Sequence, residues 1–246
     1  MKNITSNLVN DQYERNIFRW KSNLIPSFKI AFSGLMLAIS ILLSIIGSVM
    51  KFNSFLSFNL SLVPIFITFM YIGLQYALII SVSRFLLVPV ISSTIPTLSA
   101  GIPYEYLGNF IVLVSHLFIL IIFYLIYWVL NLFYKQNILA KISISMIITL
   151  ISVSVIMPLL NTFIFNVIYF WMLNMTEFSL LDVIEKYDSS FKAFFFFIPN
   201  YFVGSFTLYF IFNLTNILIN FIIIYIFIIW ETKANFIYKI RKSNYY

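Results

Sequence analysis

The chain has 246 residues, of which 62% are hydrophobic, 20% aromatic and 9% charged, and its mean hydropathy is +1.00. A soluble domain averages about 45–50% apolar and about 25% charged residues. Because a chain of this length cannot bury so much apolar surface in one aqueous core, these values exclude a soluble globule. The formal net charge of +7 comes from Lys and Arg residues scattered between apolar segments, a pattern that does not predict nucleic-acid binding. The absence of Cys excludes disulfides and thiolate metal sites.

Six apolar segments approach the length of about 20 residues that a helix needs to cross a bilayer. In chain order, the predicted spans are about Phe28–Met50, two spans that share Leu62–Ser99, about Leu107–Phe133, Ile142–Leu173, and a last one from Phe195 or Phe202 to Trp230. We predict that the polar residues Ser81, Ser83 and Arg84 divide the second span from the third. Pro89 and Pro96 predict a short or irregular third span. The sequence therefore predicts an all-α integral membrane protein, a bundle of six transmembrane helices.

The distribution of basic residues predicts the orientation of this bundle. Of the fifteen Lys and Arg residues, only Lys51, Lys186 and Lys192 fall on the side opposite the N-terminus. Cytoplasmic loops carry an excess of Lys and Arg. We therefore expect both termini in the cytoplasm, with Arg84 at the inner membrane surface.

This orientation divides the chain into three regions. Residues 1–27 are predicted to form a basic cytoplasmic arm on the inner leaflet, residues 28–230 the membrane domain, and residues 231–246 a basic cytoplasmic tail. Between the fifth and sixth spans, Ser179 and Asp182 have the spacing of a capping box and precede an apolar stripe at helical spacing. They predict a short helix on the outer surface.

The residues that catalysis needs are almost absent. No phosphate-binding G-x-x-x-x-G-K-[ST] motif is present, so the chain is not expected to hydrolyse ATP. The single His116 lies inside a predicted span without a second histidine or a carboxylate nearby in sequence, which favours a packed neutral side chain over a metal ligand or proton relay. No carboxylate is expected within the spans. We predict neither an enzyme nor a metal site.

Neutral amides are the main polar groups at membrane depth. Asn161 and Asn166 lie in the fifth span, and Asn213, Asn216 and Asn220 in the sixth. An amide in hydrocarbon costs about 2 kcal/mol or more unless it forms hydrogen bonds, so each should contact a partner helix or a cavity. Two interpretations stay open: contacts that join helices, or, amid the many aromatic side chains, a site for an uncharged, flat, aromatic ligand.

Six short segments, read in order, resemble a known family. They are the small-residue pair Gly34–Ala38, the stretch Phe58–Pro64 with Asn59 and Ser61, Tyr71–Gly73, Gly101–Phe110 with Glu105 and Asn109, Leu160–Asn161 followed by Tyr169, and Phe212–Asn216. The segments resemble those of S components, the substrate-binding subunits of energy-coupling-factor (ECF) vitamin transporters, and within them the riboflavin-specific branch. Asn216 stands where riboflavin binders carry Lys.

The resemblance implies residues for two sites. Asn161, Asn213 and Asn216 would line the vitamin pocket and bind the heterocycle. Asn59 and Ser61 would close this pocket from outside, and Asn109, at the start of the fourth span, would also bind the substrate. Gly34 and Ala38 would form the docking site for a transmembrane coupling subunit.

The resemblance also implies a function. The chain would capture a vitamin, most directly riboflavin, at the cell membrane, while two cytoplasmic ATPases supply the energy through the coupling subunit. Riboflavin would be the transported substrate, and no cofactor is implied. Two alternatives remain: an S component for another vitamin or solute, and a structural or assembly protein whose polar residues only join helices.

Overall fold

The computed structural model describes residues 18–20, 24–53, 56–94, 101–133 and 138–234. Its helices are α1 Pro26–Val49, α2 Leu62–Tyr71, α3 Leu74–Ser93, α4 Ile102–Phe133, α5 Ile138–Leu160, α6 Asn166–Met172, α7 Leu180–Glu185 and α8 Tyr201–Ala234. A π-helical turn, Asn161–Phe165, joins α5 to α6, so that Ile138–Met172 runs as one rod. A second π-helical turn, Tyr187–Phe191, and a 3₁₀ turn, Lys192–Phe195, lie between α7 and α8.

Within the part of the chain that the structure describes, five helical rods are long and apolar enough to cross a membrane: α1, α3, α4, α5 with α6, and α8. This confirms the prediction of an all-helical, multi-pass membrane protein. The remaining apolar helix, α2, has ten residues, about half of the length that a crossing needs. The second predicted span is therefore not a full transmembrane helix.

The predicted division between the second and third spans is wrong. Helix α3 continues through Ser81 and Arg84, and the chain instead turns at Gly73. Gly73 has φ 128°, a left-handed conformation that glycine adopts at little cost. The Ser81 hydroxyl does not interrupt the helix, because it donates to the carbonyl of Ala77 at 2.9 Å.

A non-helical segment, residues 56–61, precedes α2 and runs along α1. The carbonyl of Phe58 lies so close to Gly47 that a Cβ there would collide with it. Three residues further on, the Ser61 carbonyl accepts from the Ser40 hydroxyl at 3.2 Å. Residues 40–47 of α1 and residues 58–61 of the segment each cover about 10 Å, since a helix rises 1.5 Å per residue and an extended chain about 3.3 Å. Helix α2 therefore begins about midway along α1.

The two ends of the bundle differ, and we name them by what they carry. The terminal end holds Phe18–Trp20 and the last residues of α8. The cap end holds the cap, residues 174–200, together with the last turn of α3 and the first turn of α4. Contacts fix this pairing, because the Tyr104 hydroxyl in α4 donates to the Met172 carbonyl at the end of α6, at 2.9 Å.

Aromatic side chains fill the terminal half. Phe18 lies 4.9 Å from Phe123 between ring centroids, and Phe66 lies 4.8 Å from Phe123. Phe18 belongs to the predicted N-terminal arm, whose residues 1–17 and 21–23 lie outside the described residues. Most of the predicted tail, residues 235–246, also lies outside them. Residues 18–20 nevertheless contact the helices, since the Arg19 carbonyl accepts from the Leu74 N–H at the start of α3, at 2.8 Å.

The short helix predicted in the cap is confirmed as α7, but its cap contact differs from a capping box. Asp182 accepts from the backbone N–H of Glu177 at 2.6 Å and from Lys186 Nζ at 2.8 Å. Val183 and Tyr187 are buried in a small cluster that covers the bundle. The Asp182 carboxylate therefore stabilises the loop before α7 rather than the Ser179 N–H.

Candidate ligand site at the cap end

A cavity of about 300 Å³ lies in the cap half, between α1, α3, α4, the α5–α6 rod, α8 and the segment before α2. This volume is at the lower end of the range of small-molecule sites. The residues that line it are Ser44, Ile45, Ser48, Leu56, Ser57, Phe58, Asn59, Val88, Ser92, Tyr104, Glu105, Leu107, Gly108, Asn109, Ile111, Val112, Asn161, Phe165, Asn166, Tyr169, Tyr209, Phe212 and Asn213.

The wall formed by α5 and α6 is irregular next to the cavity. Pro158 lies inside α5 and has no N–H to donate. The π-helical turn Asn161–Phe165 begins three residues later. Such turns in long helices are frequent at functional sites. Asn161 and Phe165 at the two ends of this turn both line the cavity.

Three predicted site residues, Asn109, Asn161 and Asn213, line the cavity with the same geometry. In each, Nδ2 donates to the backbone carbonyl four residues earlier, at 2.9, 2.9 and 2.8 Å respectively. Because a carbonyl only accepts, the nitrogen must face it and the Oδ1 atom must point elsewhere. None of the three Oδ1 atoms accepts from a described residue. The cavity therefore offers three amide oxygens to a ligand that carries N–H or O–H groups.

Aromatic rings form much of the remaining wall. Tyr104 and Tyr169 lie edge to face with ring centroids 6.4 Å apart, and Phe58 and Phe212 are tilted with centroids 6.0 Å apart. Flat faces and edges of this kind suit a flat, apolar ring system. Sequence analysis identified the amides but not Tyr104, whose position within the segment Gly101–Phe110 is the only signal in the sequence.

A carboxylate, Glu105, also lines the cavity; it precedes the predicted fourth span and was expected on the outer side. It lies in the first turn of α4, where Oε2 accepts from the Ser92 hydroxyl at 3.1 Å. Glu105 was quoted in the resemblance but not predicted as a site residue. Ser92, on the last turn of α3, carried no signal of its own because serine is common in membrane helices.

Asn59 is held by two asparagines of α8, an arrangement that we call the asparagine clasp. The Asn59 N–H donates to Asn216 Oδ1 at 2.9 Å, and Asn220 Nδ2 donates to the Asn59 carbonyl at 2.8 Å. Ser61 donates from its backbone and hydroxyl to Asn59 Oδ1. The clasp supplies backbone partners to non-helical chain at membrane depth, which is tolerated only where protein or a cavity shields it.

Two predicted site residues do not line the 300 Å³ cavity. Ser61 is fully buried beneath Asn59, and Asn216 borders a separate space of about 50 Å³. Lys at position 216 could not replace Asn216 in the clasp, since an ammonium group has no acceptor for the Asn59 N–H. The amide at this position is thus explained by its contact with the chain before α2.

A second polar network joins the π-helical turn to α8. Asn166 donates from Nδ2 to the Ser205 hydroxyl at 3.0 Å and accepts at Oδ1 from the Tyr209 hydroxyl. The Tyr201 hydroxyl donates to the Thr162 carbonyl at 2.7 Å. Asn166 therefore has its main donors and acceptor satisfied, and its role is to fix the cavity wall. Tyr201, Ser205 and Tyr209 were not identified from the sequence.

Arg84 lies in a different place from the one predicted. It was expected at the inner membrane surface, yet it occupies the middle of α3 with no exposed surface. Its Nη2 donates to the hydroxyl of Ser44, a cavity residue, at 2.6 Å. The spans therefore include a buried cation. His116 is also buried, between helices of the bundle, and borders the smaller space.

The predicted docking pair lies away from the cavity. Gly34 and Ala38 are exposed on α1, and a Cβ placed on Gly34 would meet no other atom within 4 Å. Leu35 on the same side is 57% exposed. This side of α1 is therefore open to lipid or to another helix.

No family model, no curated protein and no solved structure matches this chain. Its length, apolar helices and internal cavity define it as a multi-pass membrane protein with a pocket of small-molecule size.

Proposed function

We propose that this chain is the substrate-binding membrane subunit of an ECF-type vitamin importer, and that it captures its solute in the cavity at the cap end. The observation that carries the proposal is the set of unpartnered amide oxygens of Asn109, Asn161 and Asn213 in that cavity. These oxygens belong to residues on the cavity wall and are not among the fully enclosed unsatisfied atoms of the described residues. A solute with N–H or O–H groups would donate to them, which supports a binding role over one of packing helices alone.

Riboflavin is the first candidate solute. Its ring system is flat and apolar on its faces, and it carries amide-like N–H and C=O groups along one edge. Aromatic walls such as Tyr104 and Tyr169, together with the three amides, are complementary to such a molecule. The resemblance of residues 212–214 to riboflavin-specific S components supports the same choice, while Asn216 departs from the Lys of those proteins.

The energy for uptake would come from partners in the cell membrane and cytoplasm. The sequence carries no nucleotide-binding motif. The open side of α1 around Gly34 and Ala38 supports docking of a coupling subunit, since small residues let another helix approach closely. With both termini in the cytoplasm, the cap end would face outward and the cavity would receive its solute from outside.

Flavin fluorescence provides the test of the solute. Riboflavin is titrated into the detergent-purified chain, and into the variants Asn161→Leu and Asn213→Leu. We expect saturable quenching with one site per chain, weakened about tenfold by each substitution, since a lost hydrogen bond in a dry site is worth about 1–3 kcal/mol. Thr215→Val is the matched control, because it removes a polar group from α8 outside both cavities. Equal affinities in all four proteins would demote both amides to packing roles.

The assembly is tested separately by affinity purification from native membranes. Co-purification of a membrane subunit with two ATPases is expected, and Ala38→Trp should abolish it by blocking the open side of α1. A chain that purifies alone and binds no vitamin would favour the structural or assembly role.

A further inference from the structure

We propose that the captured solute carries an anionic group, a carboxylate or a phosphate, and that Arg84 binds this group at the floor of the cavity. The proposal rests on the proposed function, and it favours a solute with an anionic group over neutral riboflavin, the first candidate above; it also gives the orientation of the solute. Its starting point is a cation whose position no packing role explains.

Arg84 lies as far from water as α3 allows. It is ten residues after Leu74 and nine before Ser93, so that about 15 Å of helix separates it from either end. Its side chain has no exposed surface. A bilayer core is about 30 Å thick, which places the guanidinium near the middle of the span.

The guanidinium is only partly satisfied. Nη2 donates to the Ser44 hydroxyl, whereas Nε and Nη1 are buried and donate to no described residue. Arginine does not lose its proton in proteins, so the side chain remains a cation with free donors. A buried charge is strongly unfavourable unless it is paired and hydrogen-bonded. The missing component at this position is an anion.

Among the described residues, no carboxylate forms an ion pair or a hydrogen bond with Arg84. Two carboxylates of the cap already pair with lysines: Asp182 with Lys186, and Asp188 with Lys192. Both pairs are remote from α3. The ionisable side chain that interacts electrostatically with Arg84 from α4 is His116, not a carboxylate. Glu105, the carboxylate of the cavity, lies on α4 and accepts from Ser92. Ser92 is two helical turns beyond Arg84 on α3.

The cavity ends next to this guanidinium on its cap side, at residues that contact or neighbour Arg84, although Arg84 itself does not line it. Ser44, which holds Nη2, lines the cavity, and so do Val88 and Ser92. These two residues follow Arg84 at intervals of four and eight, and therefore share its side of α3. An anionic group inserted between Ser44 and Val88 would accept from the free donors of Arg84.

The two charges also set the direction in which the solute binds. Glu105 at the cap end repels an anion, while Arg84 attracts it about 12 Å deeper along α3. The charged end of the solute would therefore point toward the middle of the bilayer, with the ring system between the amides of Asn161 and Asn213. Carboxylate and phosphate both fit this chemistry, and matched probes distinguish them.

Two pairs of probes test the proposal by fluorescence or calorimetric titration of the purified chain. Riboflavin is compared with flavin mononucleotide, which adds a phosphate, and nicotinamide with nicotinate, which replaces an amide by a carboxylate. We expect the anionic member of at least one pair to bind at least tenfold more tightly than its neutral partner. Arg84→Gln should remove this preference without weakening the neutral member. Lys192→Gln, which removes a cation in the cap, should leave it unchanged.

The outcomes separate this proposal from the proposed function. Equal binding of both members of each pair, or a preference that survives in Arg84→Gln, overturns the anion site and leaves the vitamin receptor standing. Binding of an anionic probe in the nicotinate pair alone supports Arg84 and removes flavins as solute. Failure of all four probes overturns both as stated. Arg84→Lys keeps the charge and controls for an effect of the Arg84→Gln substitution on folding. This variant should retain the preference for the anionic probe. Loss of the preference in folded Arg84→Lys also counts against the site.

Discussion

The two halves of this bundle are built from the same helices but are filled in opposite ways. In the terminal half, rings such as Phe66, Phe69 and Phe123 are fully buried and in contact, and they leave little space. In the cap half, the same α4 that carries Phe123 borders a cavity of about 300 Å³ with Asn109. One half is a core, and the other is a receptacle.

The difference shows how a membrane protein keeps a cavity open. Because lipid is as apolar as the helix surfaces, burial does not drive helices together, and packing and hydrogen bonds must do so. Here the packed aromatic core stabilises the terminal half. In the cap half, the hydrogen bonds of the asparagine clasp and of the network around Asn166 fix the positions of the cavity walls. Each half can be weakened separately, and the expected effects differ in kind.

The largest effect on stability is expected in the aromatic core. Phe123→Ala should lower the free energy of unfolding by about 3–5 kcal/mol, since it leaves a hole where closely packed rings lose their contacts. Thermal unfolding in detergent measures the loss, and the remaining folded protein should bind its solute normally. Phe133→Ala, in the same helix but at a side chain that is 79% exposed, is the control and should change stability little. A small loss in Phe123→Ala would show that the two halves are equally loose.

The next effect is expected at the boundary between the halves. Asn220→Leu removes the donor to the Asn59 carbonyl and leaves non-helical backbone without a partner at membrane depth. We expect a loss of about 1–3 kcal/mol in the free energy of unfolding, together with weaker solute binding, since Asn59 lines the cavity. Limited proteolysis near residues 56–61 should become faster than in the wild type. Unchanged proteolysis would mean that the clasp does not hold this segment.

The smallest effect is expected in the cap, where it depends on pH. The hydrogen bonds from Lys186 and from the Glu177 N–H lower the pKa of Asp182 below its usual value. Its contribution to stability is therefore present above about pH 4, the value of a free Asp, and is lost as the pH falls through the depressed pKa. Hydrogen exchange of α7 should be faster in Asp182→Asn than in the wild type at pH 7, and the two should converge in more acidic buffer. A difference that persists in acid would contradict this assignment.

Hydropathy alone was sufficient for the long helices, because a bilayer imposes a length on every span. It was insufficient for the second span: Leu62–Tyr71 is buried on nearly all sides, and such an apolar run has no periodicity that reveals where the helix ends. Asn161 and Asn213 both line one cavity, where the resemblance placed them, and their contact with a solute stays a prediction. Arg84 was misplaced because a charged residue in sequence predicts a membrane surface, whereas in the fold Ser44 and the adjacent cavity accommodate it.

The central claim is that the cavity of the cap half, and not the surface of the bundle, receives the solute. The same substitution at two glycines tests this claim. A Cβ at Gly108 or at Gly34 would meet no other atom within 4 Å, but of the two only Gly108 lines the cavity. Solute binding to Gly108→Trp and Gly34→Trp is measured by titration and compared with co-purification of partner subunits. The account predicts that Gly108→Trp loses the solute and keeps the partners, and that Gly34→Trp does the reverse. Full solute affinity in folded Gly108→Trp would contradict it.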